Sequence, residues 1–177
     1  MINEFFETAA NLKNIPRQGW VDKLNITSPE SVADHCYLTT LMAMVVSDLQ
    51  NLDTKKVMKM SILHDLAESI TGDLTPHSIS KKDKNELEEK TMFKILNNLP
   101  GSLVQEYSLM WKEYQEKQTK ESQLVHEIDK LEMTLQAKMY SKQGFSKEKL
   151  ESFFNTANQE IQNKDLREIF KSIVNST

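Results

Sequence analysis

Three residue types that shape small folds are scarce in this sequence of 177 residues, which has one cysteine, four glycines and four prolines. The lone Cys36 excludes an internal disulfide and suits a reducing compartment. Scarce glycine and proline argue against a β architecture with frequent turns and favour long helices. We therefore expect an all-α fold, and the length fits a single domain over residues 1–177.

The sequence also lacks an excess of positive charge and any long apolar run. Lys and Arg total 22 against 26 Asp and Glu, a net charge of -4, whereas a surface that binds nucleic acid is normally basic. The longest apolar run, residues 41–46, is too short to cross a bilayer. The first residues, with Glu4 and Glu7, do not resemble a signal peptide. These absences predict a cytoplasmic protein that binds neither nucleic acid nor membrane.

Apolar residues at spacings of three and four predict about six to eight consecutive helices. Their predicted ranges are 2–13, 29–49, 53–71, 80–99, around 104–114, 120–140, 146–163 and 165–174. Residues 14–27, which contain Pro16 and Gly19, are predicted to form a loop. Ser28 is predicted to cap the second helix, with Pro29 at its first position, and Asp53 to cap the third. No internal repeat or linker marks a second domain.

Ionisable residues interrupt the apolar stripes of three predicted helices. His64 and Asp65 lie in the run MSILHDLA, where burial is costly unless they are paired or bind a metal. Adjacent helical residues are about 100° apart, so both can face one ion. His35 lies on the inner stripe of the preceding helix, and Asp129 on a later helix, although the pattern alone does not single out Asp129. Two imidazoles and two carboxylates suit a divalent ion such as Mn, Co, Fe, Ni or Zn.

Each of these side chains could instead be a core polar group satisfied by hydrogen bonds, and for one isolated histidine that is the commoner case. The combined set favours a metal site. Other reactive residues receive no role: we expect His126 on the surface, Cys36 buried and pointing away from the site, and residues 81–90 as a solvated helix face. His77 is left unassigned.

The order His35, His64-Asp65, Asp129 resembles the HD-domain metal-dependent phosphohydrolase superfamily. The string HDLAESITGDLTP at residues 64–76 resembles more specifically the HD-domain 5′-deoxynucleotidase family. Further matches to that family are Pro16-Arg17, Trp20, Pro29-Glu30-Ser31-Val32 and His35. The resemblance is strongest over residues 12–140 and leaves residues 145–177 as C-terminal helices. It implies a helical bundle with a metal site between its central helices, bound through His35, His64, Asp65 and Asp129. It further implies a divalent cation, Mg included, removal of the 5′-phosphate from deoxynucleoside monophosphates, and a homodimer.

Glu68 and Asp73 in this string are predicted to be catalytic. Glu68 follows His64 by four residues, which would place it one turn further on the same helix face, where it could take a proton from water. It could instead be an exposed residue paired with lysine, but no lysine lies three or four positions away. Asp73 follows the predicted helix end, where the helix dipole disfavours a negative charge, so a cation or catalytic partner would account for it. The resemblance implies that the two serve the reaction or hold a second cation.

Arg17, Trp20, Asp73 and Thr75 are predicted to bind the substrate. Arg17 lies in the loop with Pro16 and Gly19, where a guanidinium can clamp a phosphate, although it could equally be solvated. Trp20 could stack on a base or wall off the sugar, or simply cover the core. In the family the sugar-discriminating tryptophan can directly follow the arginine, whereas here two residues intervene. Selectivity for deoxyribose therefore stays open, as do the base and the metal.

Three functions compete at this point. The first is hydrolysis of a nucleoside monophosphate by metal-activated water. The second keeps the metal but acts on a deoxynucleoside triphosphate, an alarmone or a cyclic nucleotide. HD-type alarmone hydrolases are expected to have an acidic pair where this sequence has Glu68-Ser69. The group that acts on cyclic dinucleotides has a Gly-Tyr-Pro signature that this sequence lacks. The third is a non-catalytic helical module braced by a metal, which would explain the four ligands but not Glu68, Asp73 and Arg17 together.

Overall fold

The computed structural model describes residues 1–175 and is helical through most of that range. Its α-helices, α1 to α10 in chain order, span Ile2–Ala10, Gln18–Leu24, Val32–Leu49, Thr54–Leu63, Glu68–Thr71, Lys81–Leu96, Gly101–Glu116, Lys120–Lys142, Lys147–Glu160 and Lys164–Asn175. A 3-10 helix, Asn11–Asn14, follows α1. The β structure in this part of the chain is one bridge between Pro16 and Ser31. The predicted all-α fold is confirmed.

Helices α3 and α8 form the centre of the bundle, and α4 packs against both. Val32 and Ala43 of α3 and Val125, Ile128 and Leu131 of α8 are fully buried between these elements. Helices α6 and α7 pack on one side, while α9 and α10 pack on α8. Eight of the helices in the described range have nine residues or more, as expected. The short helices α2 and α5 were not predicted as separate elements.

The prediction of a loop over residues 14–27 is wrong, because α2 occupies Gln18–Leu24. Trp20 and Leu24 lie four residues apart and are both buried, so the helix is held by its apolar face. That face packs into a second apolar cluster with Tyr140 of α8. Asn25 ends the helix with φ of 55°, a left-handed conformation that asparagine tolerates better than most residues.

Helix α3 begins three residues later than predicted, with Ser31 rather than Ser28 as its cap. The Ser31 hydroxyl accepts from the Asp34 backbone N–H at 3.2 Å, and the Asp34 carboxylate accepts from the Ser31 N–H at 2.9 Å. This reciprocal pair is a capping box. Just before the cap, the Arg17 N–H donates to the Glu30 carbonyl at 3.0 Å, which holds the Arg17 segment against the start of α3.

The predicted helix over residues 53–71 is broken at His64. Asp53 caps α4 as predicted, accepting from the Lys56 N–H at 3.0 Å, but α4 ends at Leu63 and residues 64–67 form turns. The His64 imidazole Nδ1 lies 2.6 Å from the Ser61 carbonyl oxygen, an acceptor that residue 65 would use in a continuous helix. Glu68 therefore does not share a helix face with His64, and it begins the separate helix α5.

None of the helices in residues 1–175 combines the length and the apolar character needed to cross a membrane.

Candidate metal centre

The two histidines point the same ring nitrogen at one place. His35 on α3 is fully buried, and its Nδ1 lies 2.5 Å from the Glu132 Oε2. His64, at the end of α4, has its Nδ1 engaged by the Ser61 carbonyl. The two Nε2 atoms are 3.3 Å apart. When an N–H is donated at Nδ1, the neutral imidazole carries its lone pair at Nε2, the arrangement typical of histidine metal ligands.

Two carboxylates face the same place. The Asp65 Oδ2 lies 3.1 Å from the His64 Nε2 and 3.7 Å from the His35 Nε2. The Asp129 Oδ1 lies 3.2 Å from the His35 Nε2. Ligand atoms of His35, His64 and Asp129 all lie within 4.8 Å of one another. The structure thus brings the four predicted ligands together between α3, α8 and the turn after α4.

The electrostatics keep both carboxylates charged. Burial opposes the ionisation of Asp65, but its interactions with His64 and Arg17 outweigh that effect and lower its pKa below the ordinary value. Burial likewise opposes the charge on Asp129, but Lys130, at 2.9 Å, and His35 hold its pKa well below the usual range. These two anionic oxygens, with two imidazole nitrogens, form a donor set that fits a divalent transition metal.

His35 must lose a proton when it binds a metal. Burial and the Arg17 charge disfavour the imidazolium form, whereas hydrogen bonds with Asp129 and Glu132 favour it and raise the pKa of His35 to about 10. A metal competes with that proton for the Nε2 lone pair. Metal binding is therefore expected to release a proton from this histidine.

A cleft of about 720 Å³ opens beside these ligands. Its lining includes seven other predicted residues besides Asp129: Arg17, Trp20, His64, Asp65, Glu68, Asp73 and Thr75. Arg17 is held close to the ligands, with its Nη1 3.5 Å from the Asp65 Oδ2. Burial disfavours its charge, but Asp73 and Asp65 outweigh that effect and raise the pKa of Arg17. A permanent cation thus lies next to the candidate metal ligands, where an anionic substrate could meet both.

Glu68 presents one carboxylate oxygen that has no hydrogen-bond partner. The residue is 3% exposed, and its buried Oε2 is unpaired. Its Oε1 lies 3.6 Å from the Nζ of Lys84 on α6, so it does have a lysine partner, distant in sequence. Burial and the nearby Asp65 and Asp73 raise the pKa of Glu68 well above the ordinary value. An unpaired carboxylate with an enhanced proton affinity, at the wall of a cleft, suits a general base.

The prediction of a fully solvated face over residues 81–90 is wrong at Lys84 and Glu88. The Lys84 Nζ lies 3.4 Å from Glu88 and donates to the Leu74 carbonyl at 3.0 Å. Both side chains line the cleft. Lys84 thereby ties α6 to Glu68 and to the segment that carries Asp73.

Asp73 and Thr75 join their segment to α2. The Asp73 Oδ2 accepts from the Gln18 backbone N–H at 2.8 Å, and the Thr75 hydroxyl donates to the Asp22 Oδ2 at 3.3 Å. The first N–H groups of a helix attract negative charge, so part of the reason for Asp73 is structural. Both side chains still line the cleft.

Trp20 is more buried than a substrate-facing ring usually is, with 2% of its surface exposed. Its indole Nε1 donates to the Glu30 Oε1 at 2.8 Å, and its ring centroid lies 4.1 Å from that of Phe153 on α9. It belongs to the second apolar cluster and also lines the cleft. Its environment favours a supporting wall over a stacking platform.

Comparison with known proteins places this site in a family. Residues 9–170 match the family model described as HD domain. The chain belongs to the HD-domain family. The superfamily resemblance read from the sequence is thereby confirmed, and membership implies a divalent metal, in agreement with the donor set.

Named relatives of this HD domain include two proteins called 5′-deoxynucleotidase HDDC2. The one from Dictyostelium discoideum is 40% identical over 164 residues, which is 86% of this chain and 86% of the relative. The one from Homo sapiens is 36% identical over 154 residues, 86% of this chain and 74% of the relative. The crystal structure of the PH0347 protein from Pyrococcus horikoshii OT3 is similar with a TM-score of 0.82 and 31% identity, covering 98% of each chain.

Besides Lys84 and Glu88, sequence reasoning missed Glu132, which lies beside this HD-domain site. It is fully buried and contacts His35 directly. It follows Asp129 by three residues, so the two share a face of α8. A glutamate next to Leu131, within a helix of mostly apolar periodicity, was the available signal.

Two residues left without a role lie nearer the site than expected. The Cys36 thiol is buried, as predicted, but it lies within 4.8 Å of ligand atoms of His64 and Asp65. Burial raises its pKa well above the ordinary value, which disfavours the thiolate that would bind a metal.

His126 is half-buried rather than on the surface, stacked 3.9 Å from the Tyr114 ring. Burial lowers the pKa of His126 to about 4, so it is neutral at physiological pH.

Proposed function

We propose that this protein is a metal-dependent phosphohydrolase that removes the 5′-phosphate from deoxynucleoside monophosphates. One observation carries the proposal: two imidazole nitrogens and two carboxylates converge beside a cleft that also holds a half-buried arginine and an unpaired glutamate oxygen. A non-catalytic module braced by a metal would need neither the arginine nor the unpaired glutamate oxygen. The relatives named 5′-deoxynucleotidase support the substrate class.

The proposed ligands are His35, His64, Asp65 and Asp129, and the proposed ion is divalent: Mn, Co, Fe, Ni, Zn or Mg. Such an ion would activate water and neutralise charge on the phosphoryl group. The donor set of two nitrogens and two oxygens favours the transition metals over Mg, which prefers oxygen ligands. These four side chains would hold the ion, which would supply an activated water for the reaction.

The remaining work falls to residues that line the cleft. Arg17 would hold the phosphate through its planar guanidinium. Glu68 would accept a proton from the attacking water. The water oxygen would form a bond to phosphorus while the bond from phosphorus to the sugar 5′ oxygen breaks. Asp73 would assist that leaving oxygen or, together with Glu68, hold a second cation. Thr75 is proposed to contact the substrate beside Asp73.

The deciding experiment is a turnover assay with a panel of deoxyribo and ribo monophosphates, triphosphates and cyclic nucleotides, with each metal added to protein stripped by a chelator. We expect release of inorganic phosphate and a nucleoside from the monophosphates, dependent on metal. Turnover confined to triphosphates or cyclic nucleotides would contradict the proposed substrate. No turnover despite stoichiometric metal would favour the non-catalytic module.

Replacement of Arg17 by lysine is expected to lower kcat/KM by about 100-fold on every monophosphate alike, because a point charge replaces a bidentate clamp and the phosphate is misplaced. The measurement is steady-state kinetics on the panel, together with metal content. Lys23→Ala is the control, since Lys23 is an exposed cation of α2, the helix that follows Arg17, and lies outside the cleft lining. Losses that differ strongly between bases would speak against a phosphate contact.

Replacement of Trp20 by phenylalanine is expected to narrow the gap in kcat/KM between deoxyribo and ribo monophosphates. A smaller ring gives the larger sugar more room, and the bond to Glu30 is lost. Phenylalanine is chosen because truncating a buried tryptophan to alanine costs about 3–5 kcal/mol of stability. Trp111→Phe, a buried ring outside the cleft lining, is the control. An unchanged sugar preference would make Trp20 a packing residue only.

Several further properties are proposals from the sequence and the resemblance: a single domain over residues 1–177, a homodimer, a cytoplasmic location and no binding of nucleic acid. One feature of α3 supports the homodimer. Its exposed apolar side chains recur every four residues and form a stripe that a second copy could cover: Tyr37, Leu41, Val45 and Leu49.

A further inference from the structure

Glu132 is a buried carboxylate that the proposed reaction does not use. None of its surface is exposed. Its Oε2 lies 2.5 Å from the His35 Nδ1, and its Oε1 has no hydrogen-bond partner. Burying a carboxylate with one oxygen unsatisfied costs stability. A fold that keeps such a group gains something from it other than packing.

We propose that Glu132 is a positioning residue that fixes His35 for metal binding. By accepting the Nδ1–H, it holds the ring orientation and keeps the Nε2 lone pair directed at the ion. This inference rests on the proposed function, because it requires the metal site. It assigns Glu132 no contact with substrate or with the ion itself.

The two histidines differ in what holds them, and that difference gives Glu132 its importance. His64 is oriented by a backbone carbonyl, that of Ser61, in its own turn. That bond is neutral and is set by the local chain. His35 is oriented by a side chain from another helix, the carboxylate of Glu132. A carboxylate acceptor raises the basicity of the ligating imidazole as well as orienting it.

One face of α8 therefore acts on both nitrogens of His35. Asp129 contacts the Nε2 at 3.2 Å, and Glu132, three residues later, contacts the Nδ1. The ring is clamped between a proposed ligand and its own hydrogen-bond acceptor, both on one rigid helix. Because the spacing is set by the helix, the relative position of imidazole and Asp129 is fixed before the ion arrives.

A second metal site at Glu132 is the competing explanation, because ligand atoms of Glu30, His35 and Glu132 also lie within 4.8 Å of one another. Two contacts argue against it. The Glu30 carboxylate already accepts from the Trp20 indole at 2.8 Å. The His35 Nδ1 faces Glu132 at hydrogen-bond distance, and it cannot both donate a proton there and bind a cation.

The test is titration of the chelator-stripped full chain with Co²⁺, whose visible absorption also reports coordination, for the wild type, Glu132→Gln and Glu132→Leu. Glutamine keeps an acceptor but loses the charge, and we expect the Kd to rise by about 10-fold; leucine loses both, and we expect about 100-fold. Thr134→Val is the control, since Thr134 is buried on the same helix and its hydroxyl donates to the Lys130 carbonyl of the preceding turn. Its Kd should match the wild type.

The outcomes separate this inference from the proposed function. If the wild type binds no Co²⁺, the proposed metal site fails and the inference fails with it. If the wild type binds one ion while both Glu132 variants bind it with unchanged Kd, only the inference is overturned. Two ions in the wild type and one in Glu132→Leu would instead make Glu132 a ligand.

Measurements on the metal-free protein show whether a variant has lost the Glu132–His35 contact or has misfolded. In the stripped wild type, the His35 proton donated over 2.5 Å to a carboxylate should give a strongly downfield proton resonance, absent in Glu132→Leu. The helical circular dichroism signal and thermal midpoint of the stripped variants are compared with the stripped wild type. If Glu132→Leu does not fold, Glu132→Gln alone decides. An unchanged Kd for Co²⁺ together with an unchanged downfield resonance in Glu132→Gln would overturn the role of the Glu132 charge.

Discussion

Replacing His64 by alanine, or Asp129 by asparagine, is expected to abolish tight binding of the divalent ion and with it all metal-dependent hydrolysis. His64→Ala removes a donor atom, and Asp129→Asn replaces an anionic oxygen with a weaker neutral amide oxygen, in a site where ligand atoms of His35, His64 and Asp129 lie within 4.8 Å of one another. An ion bound only by the folded state stabilises it, by about 2.7 kcal/mol when the free ion is at 100 times its Kd. The variants should therefore melt at the same temperature with and without metal, unlike the wild type.

Two measurements test this expectation. Elemental analysis after gel filtration gives the metal content, and thermal melts with added ion or chelator give the shift in melting temperature. His77→Ala is the matched control, because His77 is exposed and lies outside the cleft lining. It should keep one ion per chain and the full shift in melting temperature. Stoichiometric metal retained by both His64→Ala and Asp129→Asn would place the metal site elsewhere.

The helical architecture could be predicted because periodicity records burial. The stripe of Leu124, Ile128 and Leu131 in α8 is buried, and the predicted range 120–140 differs from Lys120–Lys142 by two residues. A long helix in the centre of a bundle packs against several neighbours, so apolar residues recur along its whole length and the helical period is easily recognised. The same reasoning found His35 and His64, since an ionisable group in such a stripe needs a partner.

Local chemistry that competes with periodicity could not be predicted. The apolar pattern through residues 53–71 is that of one helix, but the His64 imidazole occupies the Ser61 carbonyl and the helix ends. In α2 the opposite error arose. Pro16 and Gly19 suggested a loop, yet Pro16 precedes the helix and the buried Trp20 and Leu24 outweigh the glycine.

Long-range partners could not be predicted either, because no spacing rule connects distant segments. Lys84 reaches Glu68 across 16 positions of sequence, and Glu132 reaches His35 across 97. The position of Asp129 came from the resemblance alone. These contacts decide the charge and orientation of the site residues, so the sequence identified the candidates better than it identified their environment.

Replacing Glu68 by glutamine is expected to lower kcat by about 10²–10⁴-fold, because the amide fills the same space but cannot accept a proton from water. Metal content, the helical signal and KM should stay near the wild type. The pH profile should change as well. A general base works only when ionised, so activity falls as the pH drops through its pKa. Because burial and neighbouring carboxylates raise the pKa of Glu68, the wild-type acid limb should begin at a higher pH than for an ordinary glutamate, and Glu68→Gln should lose that limb.

Glu88→Gln is the control that isolates the base from its surroundings. Glu88 also lines the cleft, lies 3.4 Å from the same Lys84 amine and has its pKa raised by burial. If proton transfer is the reason for the loss in Glu68→Gln, the Glu88 variant should keep kcat within a few fold of the wild type and retain the acid limb. Equal losses in both variants would make the charge cluster around Lys84 responsible, and full hydrolysis by Glu68→Gln at saturating metal would remove Glu68 from the mechanism.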